Sequence, residues 1–549
     1  MLTYVTAYLY DEGDDPNLIA GEEWSIQQLI TLSKIGIPLV IFVLSSYETT
    51  IRQFIDQTNI VIYPIQKTDL WTYQVVCSGS FATPLHCDAN KDTFAHLWRT
   101  HTCVELVNRA VDKNPFGSTH FAWINYSTPY LFSKRAETEE FLRVLSRYQF
   151  VQEMLVMPGF TPTHCENVLD GIQWRFCGGF FIGDGKSLAK WYRFYVDAFP
   201  AFLRKYNTLV WEVNFWAYIE QNGWAVSWYS ANHSDSLITN LTLSCYTLCL
   251  AEREGYQSIV YDYPKIPGFH PTSTSYIKRR KDGRRYVNVR YVNYWLFPNG
   301  YYGYSSDEHI IENINVVCEI DGSWRPKMPT SFRTMVENTG LSRFSGTYSR
   351  GLEDIRIYES AEGGIKCIAT NMNYSAGGRN RMVVGDYCVD TCEIKNGRIL
   401  QPPVESYCEK NWIPIGDGMF IYQWSPFQIG RLDESGRLRI VIEHKIVAPQ
   451  FHRVRGSSIF TRVEGEGYLG VVHFSEEGSP RHYFHMMVLL DSVSFLPKKY
   501  SQPFCFQTLG IEFCIGFTVE GGEYIFWISR MDRDPMVIKI PAFPLSFDF

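Results

Sequence analysis

Over roughly the first 250 residues, short apolar runs alternate with apolar positions at helical spacing. Residues 4–10 are β-rich and lead into the acidic turn Asp11-Glu12-Gly13-Asp14-Asp15. Helical spacing follows at Trp24, Ile26, Leu29 and Ile30. Residues 38–43 form a continuous apolar run, the pattern of a parallel strand covered on both faces. Residues 47–56 predict a helix and 60–63 a third strand. This β-α-β-α-β order predicts a Rossmann-type parallel sheet with right-handed crossovers. Ligands of such sheets gather at the carboxyl ends of the strands. Further helices are predicted over 94–111, 137–146 and 188–202, and strands over 120–124, 174–182 and 226–229.

The pattern changes near residue 260. Pro264, Pro267, Pro271 and several Ser/Thr residues read as a linker over 259–275. Beyond it amphipathic helices are nearly absent. Short β-rich runs, broken by Gly, Asn and Asp, fall at 286–294, 355–358, 418–424, 468–474, 486–490, 511–517 and 524–529. They group into about five repeats of roughly 50–65 residues, the order of a four-stranded propeller blade with long loops. The expected architecture is an α/β domain of residues 1–258 followed by an all-β five-bladed β-propeller of 276–549, with a β-sandwich as the alternative for the second half.

The chain has 549 residues, of which 45% are hydrophobic and 20% charged, so it can bury large cores and is not a disordered chain. Aromatics reach 16%. Their flat faces suit sugar rings and bases, and they also fill β-rich cores. The net charge of −7 gives no overall basic footprint for nucleic acid. The one basic run, Lys278-Arg279-Arg280-Lys281-Asp282-Gly283-Arg284-Arg285, has an Asp-Gly centre that reads as a hairpin turn. No apolar run is long enough for a membrane span, and residues 1–5 lack the character of a signal peptide. The 14 cysteines show no C-x-x-C and no zinc spacing, which suits reduced thiols in a cytoplasmic protein. The sequons at Asn125, Asn232, Asn240 and Asn373 are then chance matches.

Several N-terminal segments carry a family likeness. Val5-Thr6-Ala7-Tyr8-Leu9-Tyr10-Asp11 and Pro38-Leu39-Val40-Ile41-Phe42 look like its first two strands. Asn114-Pro115-Phe116-Gly117-Ser118-Thr119-His120-Phe121-Ala122-Trp123-Ile124-Asn125 is similar to its pattern N-P-F followed by W-I-D. Cys177-Gly178-Gly179-Phe180-Phe181-Ile182-Gly183 resembles a later glycine-bearing strand. Residues 1–245 thus resemble the HtrL/YibB-like family of GT-A glycosyltransferases. The resemblance implies a GT-A-like domain that moves a sugar from a UDP- or GDP-linked nucleotide-sugar donor to a glycan acceptor. It also implies a divalent metal, Mn²⁺ or Mg²⁺, on an acidic D-x-D. Here Asn125 stands where the family has Asp, and Ser127 is neutral, so the hard anionic ligands are missing. Glu212 falls where the family places an acidic pair near the acceptor, as a base or sugar contact, or else is a helix-surface carboxylate. His233 and Asp235 follow a strand, where a late His completes a diphosphate site; a polar loop is the other reading. Thr6 is a nucleotide-edge contact or simply a β-former.

In the second half, polar segments recur about once per repeat: Asn288-Val289-Arg290-Tyr291-Val292-Asn293-Tyr294, Gly351-Leu352-Glu353-Asp354-Ile355-Arg356-Ile357, Glu409-Lys410-Asn411-Trp412-Ile413-Pro414, Arg453-Val454-Arg455-Gly456-Ser457-Ser458 and Gly510-Ile511-Glu512-Phe513. They resemble five-bladed propellers related to glycoside hydrolase families 43 and 130, and the second is similar to the G-x-E-D-P-R-I element of mannoside phosphorylases, with Ile355 in place of Pro. That resemblance implies a central funnel with Asp354 as general acid and Glu409 as its partner carboxylate. Arg290, Asn293, Glu353, Arg356, Lys410, Asn411, Trp412, Arg455 and Glu512 would meet glycan hydroxyls, a carboxylate or phosphate. Charges inside apolar strands are costly unless paired or functional, so a structural set remains the alternative. His473, His482 and His485 read as phosphate contacts or as packed histidines. No G-x-S-x-G, P-loop or G-x-G-x-x-G occurs. The expected activity is a glycosyltransferase whose propeller faces carbohydrate; the alternatives are a glycan-binding protein with a degenerate transferase domain, or a propeller phosphorylase or hydrolase.

Overall fold

The structure, a computed structural model, describes residues 1–10, 19–84, 93–162, 167–169, 171–304, 308–328, 331–416 and 418–549. The acidic turn at 11–15 lies outside the described residues. The chain divides into two compact units, Met1–Tyr246 and Thr247–Phe549.

Unit 1 is an α/β unit around a seven-stranded sheet of order β3-β2-β1-β4-β6-β5-β7. The strands are β1 (Leu2–Tyr8), β2 (Leu39–Leu44), β3 (Ile60–Ile65), β4 (His120–Ile124), β5 (Leu155–Gly159), β6 (Phe180–Asp184) and β7 (Ser227–Ser230). Every residue of β1, β2 and β4 is buried, as continuous apolar runs require. β3, β2, β1 and β4 run parallel, but β6 is antiparallel to both β4 and β5. The sheet is therefore mixed and not wholly parallel, since β6 runs against both of its neighbours. Residues 174–179, expected as strand, precede β6 as turns.

The helices are α1 (Ile19–Ser33), α2 (Glu48–Phe54), α3 (Trp71–Cys77), α4 (Phe94–Lys113), α5 (Arg135–Leu145), α6 (Gly185–Tyr206), α7 (Glu212–Gln221) and the short α8 (Ser236–Thr239). Thr93 caps α4 and Asp184 caps α6 through their side-chain oxygens. Both helices end at an asparagine in left-handed conformation, Asn114 and Asn207. Among the described residues no helix is long and apolar enough to cross a membrane.

Unit 2 is all β, with its antiparallel sheets in a propeller-like arrangement. The first sheet runs outward from His270–Lys278 through Arg285–Val292 and Ile311–Ile320, and the second from Glu353–Glu359 through Ile365–Asn371 and Arg381–Cys388 to Glu393–Ile399. The third runs from Ile413–Gly416 to Leu438–His444, the fourth from Arg455–Gly456 through Gly467–Glu476 and His482–Leu490, and the fifth from Glu512–Glu520 through Glu523–Arg530 to Asp534–Pro541. The fifth sheet is completed by Gln257–Ile259, from the start of the unit.

Residues 259–275 are thus not a linker throughout. Most of an inner strand lies there, with Thr272, Ser273, Thr274 and Ser275 buried. Glycine on the facing strand allows the close approach there: a Cβ at Gly516 would lie 2.7 Å from the Thr274 carbonyl. The basic run forms the following hairpin, and its arginines pair with Asp282, Glu359, Glu319 and Glu520.

Candidate functional site

In unit 2 the polar residues of several sheets meet around Asp354. The period-two alternation of Arg285–Val292 puts Arg290 and Asn288 on one face, opposite Val287 and Val289 of the core. Arg290 is 6% exposed; its Nη1 donates to Asp354 Oδ1 at 2.7 Å and its Nε to Asn313 Oδ1 at 2.7 Å. Ser273 Oγ donates to the same Asp354 oxygen at 2.9 Å. Glu353 lies 4.0 Å from Arg290 Nη2 and 3.6 Å from Lys410 Nζ. Arg356, fully buried, donates to the Ser457 carbonyl at 2.5 Å and to Asn411 Oδ1 at 3.0 Å. Burial would raise the Asp354 carboxyl, but Arg290 and Arg356 outweigh it and hold Asp354 below the usual carboxylate range.

The backbone aims these groups. Asp354 has φ 54, within a register irregularity between Glu353 and Arg356, and Asn411 has φ 64. Non-glycine residues with positive φ are uncommon, and Asp and Asn tolerate them best. A bulge re-aims the side chain it carries. Just upstream, three asparagine amides grip consecutive carbonyls: Asn313 Nδ2 donates to Arg350 O at 2.7 Å, Asn371 to Gly351 O at 2.7 Å and Asn315 to Leu352 O at 2.9 Å. Glu337 accepts the Leu352 N–H at 2.7 Å.

A second aspartate belongs to the same cluster. Asp532 stands in the turn after Glu523–Arg530, with Met531 and Asp532 both at positive φ. Tyr294 donates its hydroxyl to Asp532 Oδ2 at 3.0 Å. Burial raises the Asp532 carboxyl above its ordinary value; Arg290 opposes the rise and the Asp354 charge adds to it. The rings of Tyr294 and Tyr302 are 5.1 Å apart, and Tyr302 is half exposed. Arg455 is exposed on the inner strand opposite His473, and Lys410 is likewise exposed. Burial, with the charges of His485, Arg356 and Arg455, pushes His473 well below its ordinary value.

Other expected residues lie elsewhere. The acid expected at Asp354 is instead held as an ionised carboxylate by its arginines. Glu409 does not face Asp354: it is 4% exposed and accepts from Ser406 Oγ, and from Trp412 Nε1 at 2.8 Å. Trp412 is itself 1% exposed, so it presents no face to a glycan. Glu512 accepts the N–H groups of Phe506, Gln507 and Thr508 at 2.6, 3.0 and 3.1 Å, a clamp on that loop. Asn293 joins Ile310 O and Glu312 N. Sequence reading missed Asp532, Tyr294 and Asn313. Met531-Asp532-Arg533-Asp534 reads as a surface turn, and no local pattern marks it as facing Arg290.

Unit 1 holds a separate cavity of about 270 Å³. It opens where β1 and β4 end, between Tyr10 and Asn125–Thr128, with Arg99, Trp174, Glu212 and His233 around it. Asn125 Oδ1 accepts from Ser127 N at 3.0 Å and Ser127 Oγ at 2.8 Å, an Asx turn that occupies the oxygen a metal would need. The His233 ring meets Trp174 edge-on at 4.6 Å. Thr6 is fully buried within β1 and does not line the cavity. Asp235 binds Ser133 N at 2.9 Å, Lys134 N at 3.0 Å and Thr138 Oγ1 at 2.7 Å, which pins the start of α5. No group of three or more metal-ligating side chains occurs among the described residues, and one carboxylate, Glu212, lines the cavity. Among the described residues, the cavity therefore offers a divalent cation a single carboxylate.

No family model and no curated protein matches the chain. The resemblance of residues 1–245 to the HtrL/YibB-like family therefore has no counterpart there. Solved structures do match. A β-1,2-mannobiose phosphorylase from Listeria innocua shows 13% identity and a TM-score of 0.34, covering 51% of this chain and 92% of its own. A structure described under the GH130 family of mannoside phosphorylases, with glycoside hydrolases that target β-1,2 mannosidic linkages in Candida mannan, shows 11% identity, a TM-score of 0.37 and coverage of 55% and 99%. A mannose phosphorylase from Leishmania mexicana in complex with phosphate shows 12% identity, a TM-score of 0.33 and coverage of 54% and 93%.

Proposed function

We propose that unit 2, folded as a five-bladed propeller, cleaves or forms a glycosidic bond by general acid catalysis, as a glycoside phosphorylase or hydrolase. One observation carries this assignment: two aspartates of one cluster are pushed in opposite directions, Asp354 toward the anion and Asp532 toward the neutral acid. Titratable groups separated in this way are a sign of acid and base roles.

In this scheme the protonated Asp532 gives its proton to the glycosidic oxygen as the bond from that oxygen to the anomeric carbon breaks. The Asp354 carboxylate, fixed by Arg290 and Ser273, faces the positive charge that develops on the sugar ring. The incoming oxygen bonds to the anomeric carbon, either from a phosphate oxyanion or from water, whose proton then passes to solvent. The exposed cations Lys410 and Arg455 suit the charged acceptor. Incubating the protein with a disaccharide panel, with and without phosphate, reads free sugar against sugar phosphate. Asp532→Asn should lower turnover by roughly 10²–10⁴-fold. Unchanged turnover in that variant overturns the assignment.

A second reading is favoured by the cavity of unit 1. Its position at the ends of β1 and β4 is that of ligand sites in open α/β sheets. It suits a GT-A-like domain taking a nucleotide-sugar donor, with Asn125, Glu212 and His233 at the site and no metal. Turnover of UDP- and GDP-sugars, unaffected by EDTA, is the expected result; an EDTA-sensitive turnover contradicts the metal-free form.

A further inference from the structure

Glu212 opens α7 and lines the unit 1 cavity, yet its side chain is 7% exposed and its Oε2 has no hydrogen-bond partner. Its Oε1 lies over Gly178, where an added Cβ would come within 1.9 Å of that oxygen. Glycine at 178 is thus the space in which the carboxyl sits. The loop leading toward Gly178 is held in turn by α7: Asn214 donates to Val168 O and Gly171 O, both at 2.7 Å, and accepts Gln173 N at 3.0 Å.

Hydrogen bonds from Thr100 and from the N–H groups of Glu212 and Val213 favour its anion, but burial outweighs them and Oε2 keeps no partner; protonated, the carboxyl needs only an acceptor for its O–H. The neighbours supply no compensating charge. Thr100 and Cys103 face it from α4 and Tyr195 from α6; burial raises the Cys103 thiol and the Tyr195 phenol well above their ordinary values, so both stay neutral. Arg99 and His96 of α4 and His233 after β7 line the same cavity, but none of them is ion-paired with Glu212 among the described residues. Burial raises the Glu212 carboxyl above its ordinary value. The remaining walls include Trp123, Trp174, Trp211, Tyr10 and Tyr126. Flat rings of this kind offer apolar faces to the C–H side of a pyranose, and 270 Å³ suits a group of ring size.

We infer that this cavity takes a neutral sugar ring and that Glu212 holds it as a carboxylic acid, donating a hydrogen bond from its carboxyl O–H to a ligand oxygen. The inference rests on the second reading only in that the unit 1 cavity is a ligand site. It assigns Glu212 a donor's role and not that of a base.

The full chain is titrated with D-mannose, D-glucose and D-galactose, and separately with UDP, by ligand-observed NMR between pH 5 and 9. At least one sugar should bind. Its affinity should fall roughly tenfold per pH unit once Glu212 ionises, because the donor is lost as pH rises. Glu212→Gln keeps a donor and should keep binding within about threefold while flattening that pH dependence. Gly178→Ala should weaken binding at least tenfold, with circular dichroism checking that each variant folds. Sugar binding that ignores both substitutions belongs elsewhere in the chain and overturns the inference. So does loss of binding in Glu212→Gln with an intact fold. UDP binding without any sugar binding overturns the inference but leaves the second reading standing; binding of neither probe overturns both.

Discussion

Asp354 and Asp532 differ in what surrounds them. Asp354 has two guanidinium groups close by, which outweigh its burial, while at Asp532 burial prevails, helped by the field of Asp354 and opposed by Arg290 and the Tyr294 hydroxyl. A cycle that needs Asp354 ionised and Asp532 protonated should therefore persist to pH values below the ordinary aspartate range and fail on the alkaline side, as pH rises through the elevated Asp532 value. The Tyr294 hydroxyl donates to the Asp532 carboxylate and so favours ionisation. Tyr294→Phe removes that donor, raises the Asp532 value further and should move the alkaline limb of kcat/KM to higher pH. A limb that stays put, or moves down, would exclude Asp532 as the titrating acid.

At the scale of elements, the site depends on how residues 350–352 enter the second sheet. Three asparagine amides and Glu337 hold that segment, and Gly351 allows it to pass. Its φ is +81 and a Cβ would lie 2.5 Å from the Asn313 carbonyl. Gly351→Ala combines a left-handed alanine with a backbone clash, so a loss of about 1–3 kcal/mol is expected in urea unfolding. Turnover should fall with it, since Asn313 also holds Arg290. Full stability and turnover in this variant would show that the clamp has no role. This device was only partly legible beforehand. Gly351 to Ile357 stood out as a polar segment in an apolar strand. Asn313, Asn315 and Asn371 did not, because scattered asparagines in β-rich sequence read as turn residues until the sheets bring them together.

At the scale of the whole molecule, the fourth sheet carries an acid-sensitive pair. His473 and His485 are cross-strand partners, both buried. Burial lowers His485 to about 3 and both its ring nitrogens lack partners. The unfolded state binds protons below pH ~6.5 that the folded state refuses. Stability is therefore complete above that pH and should fall, by roughly 1.4 kcal/mol per pH unit for each such histidine, as pH drops below it. His485→Phe should shallow this slope in thermal melts from pH 7 to 4; an unchanged slope would place the sensitivity elsewhere. Chain economy gives another expectation. Gln257–Ile259 and His270–Lys278 complete sheets of unit 2. Residues 247–549 should accordingly fold when expressed alone, and 276–549 should aggregate. Equal solubility of the two fragments would show that neither strand is needed.

Periodicity and composition were enough to separate an α/β first half from an all-β second half, because burial on two faces, burial on one face and helical spacing each leave a local signature. They also located β1, β2, β4 and α4 closely, and marked Arg290 and Asp354 as charges inside apolar strands, whereas Glu212 and Asn125 came forward only through the family resemblance. Whether such residues meet is a matter of distances across the chain. Asp354 and Asp532 are far apart in sequence, and only the arrangement of the sheets puts both beside Arg290. The same arrangement decided which one is the anion, since protonation follows the charges nearby and not the residue type. It turned Glu409, Glu512 and Asp235 into structural acceptors by supplying N–H and O–H donors from other segments. It also made a buried strand of residues that resemble a linker, because pairing with Arg285–Val292 across the sheet, and not local composition, decides that segment's conformation.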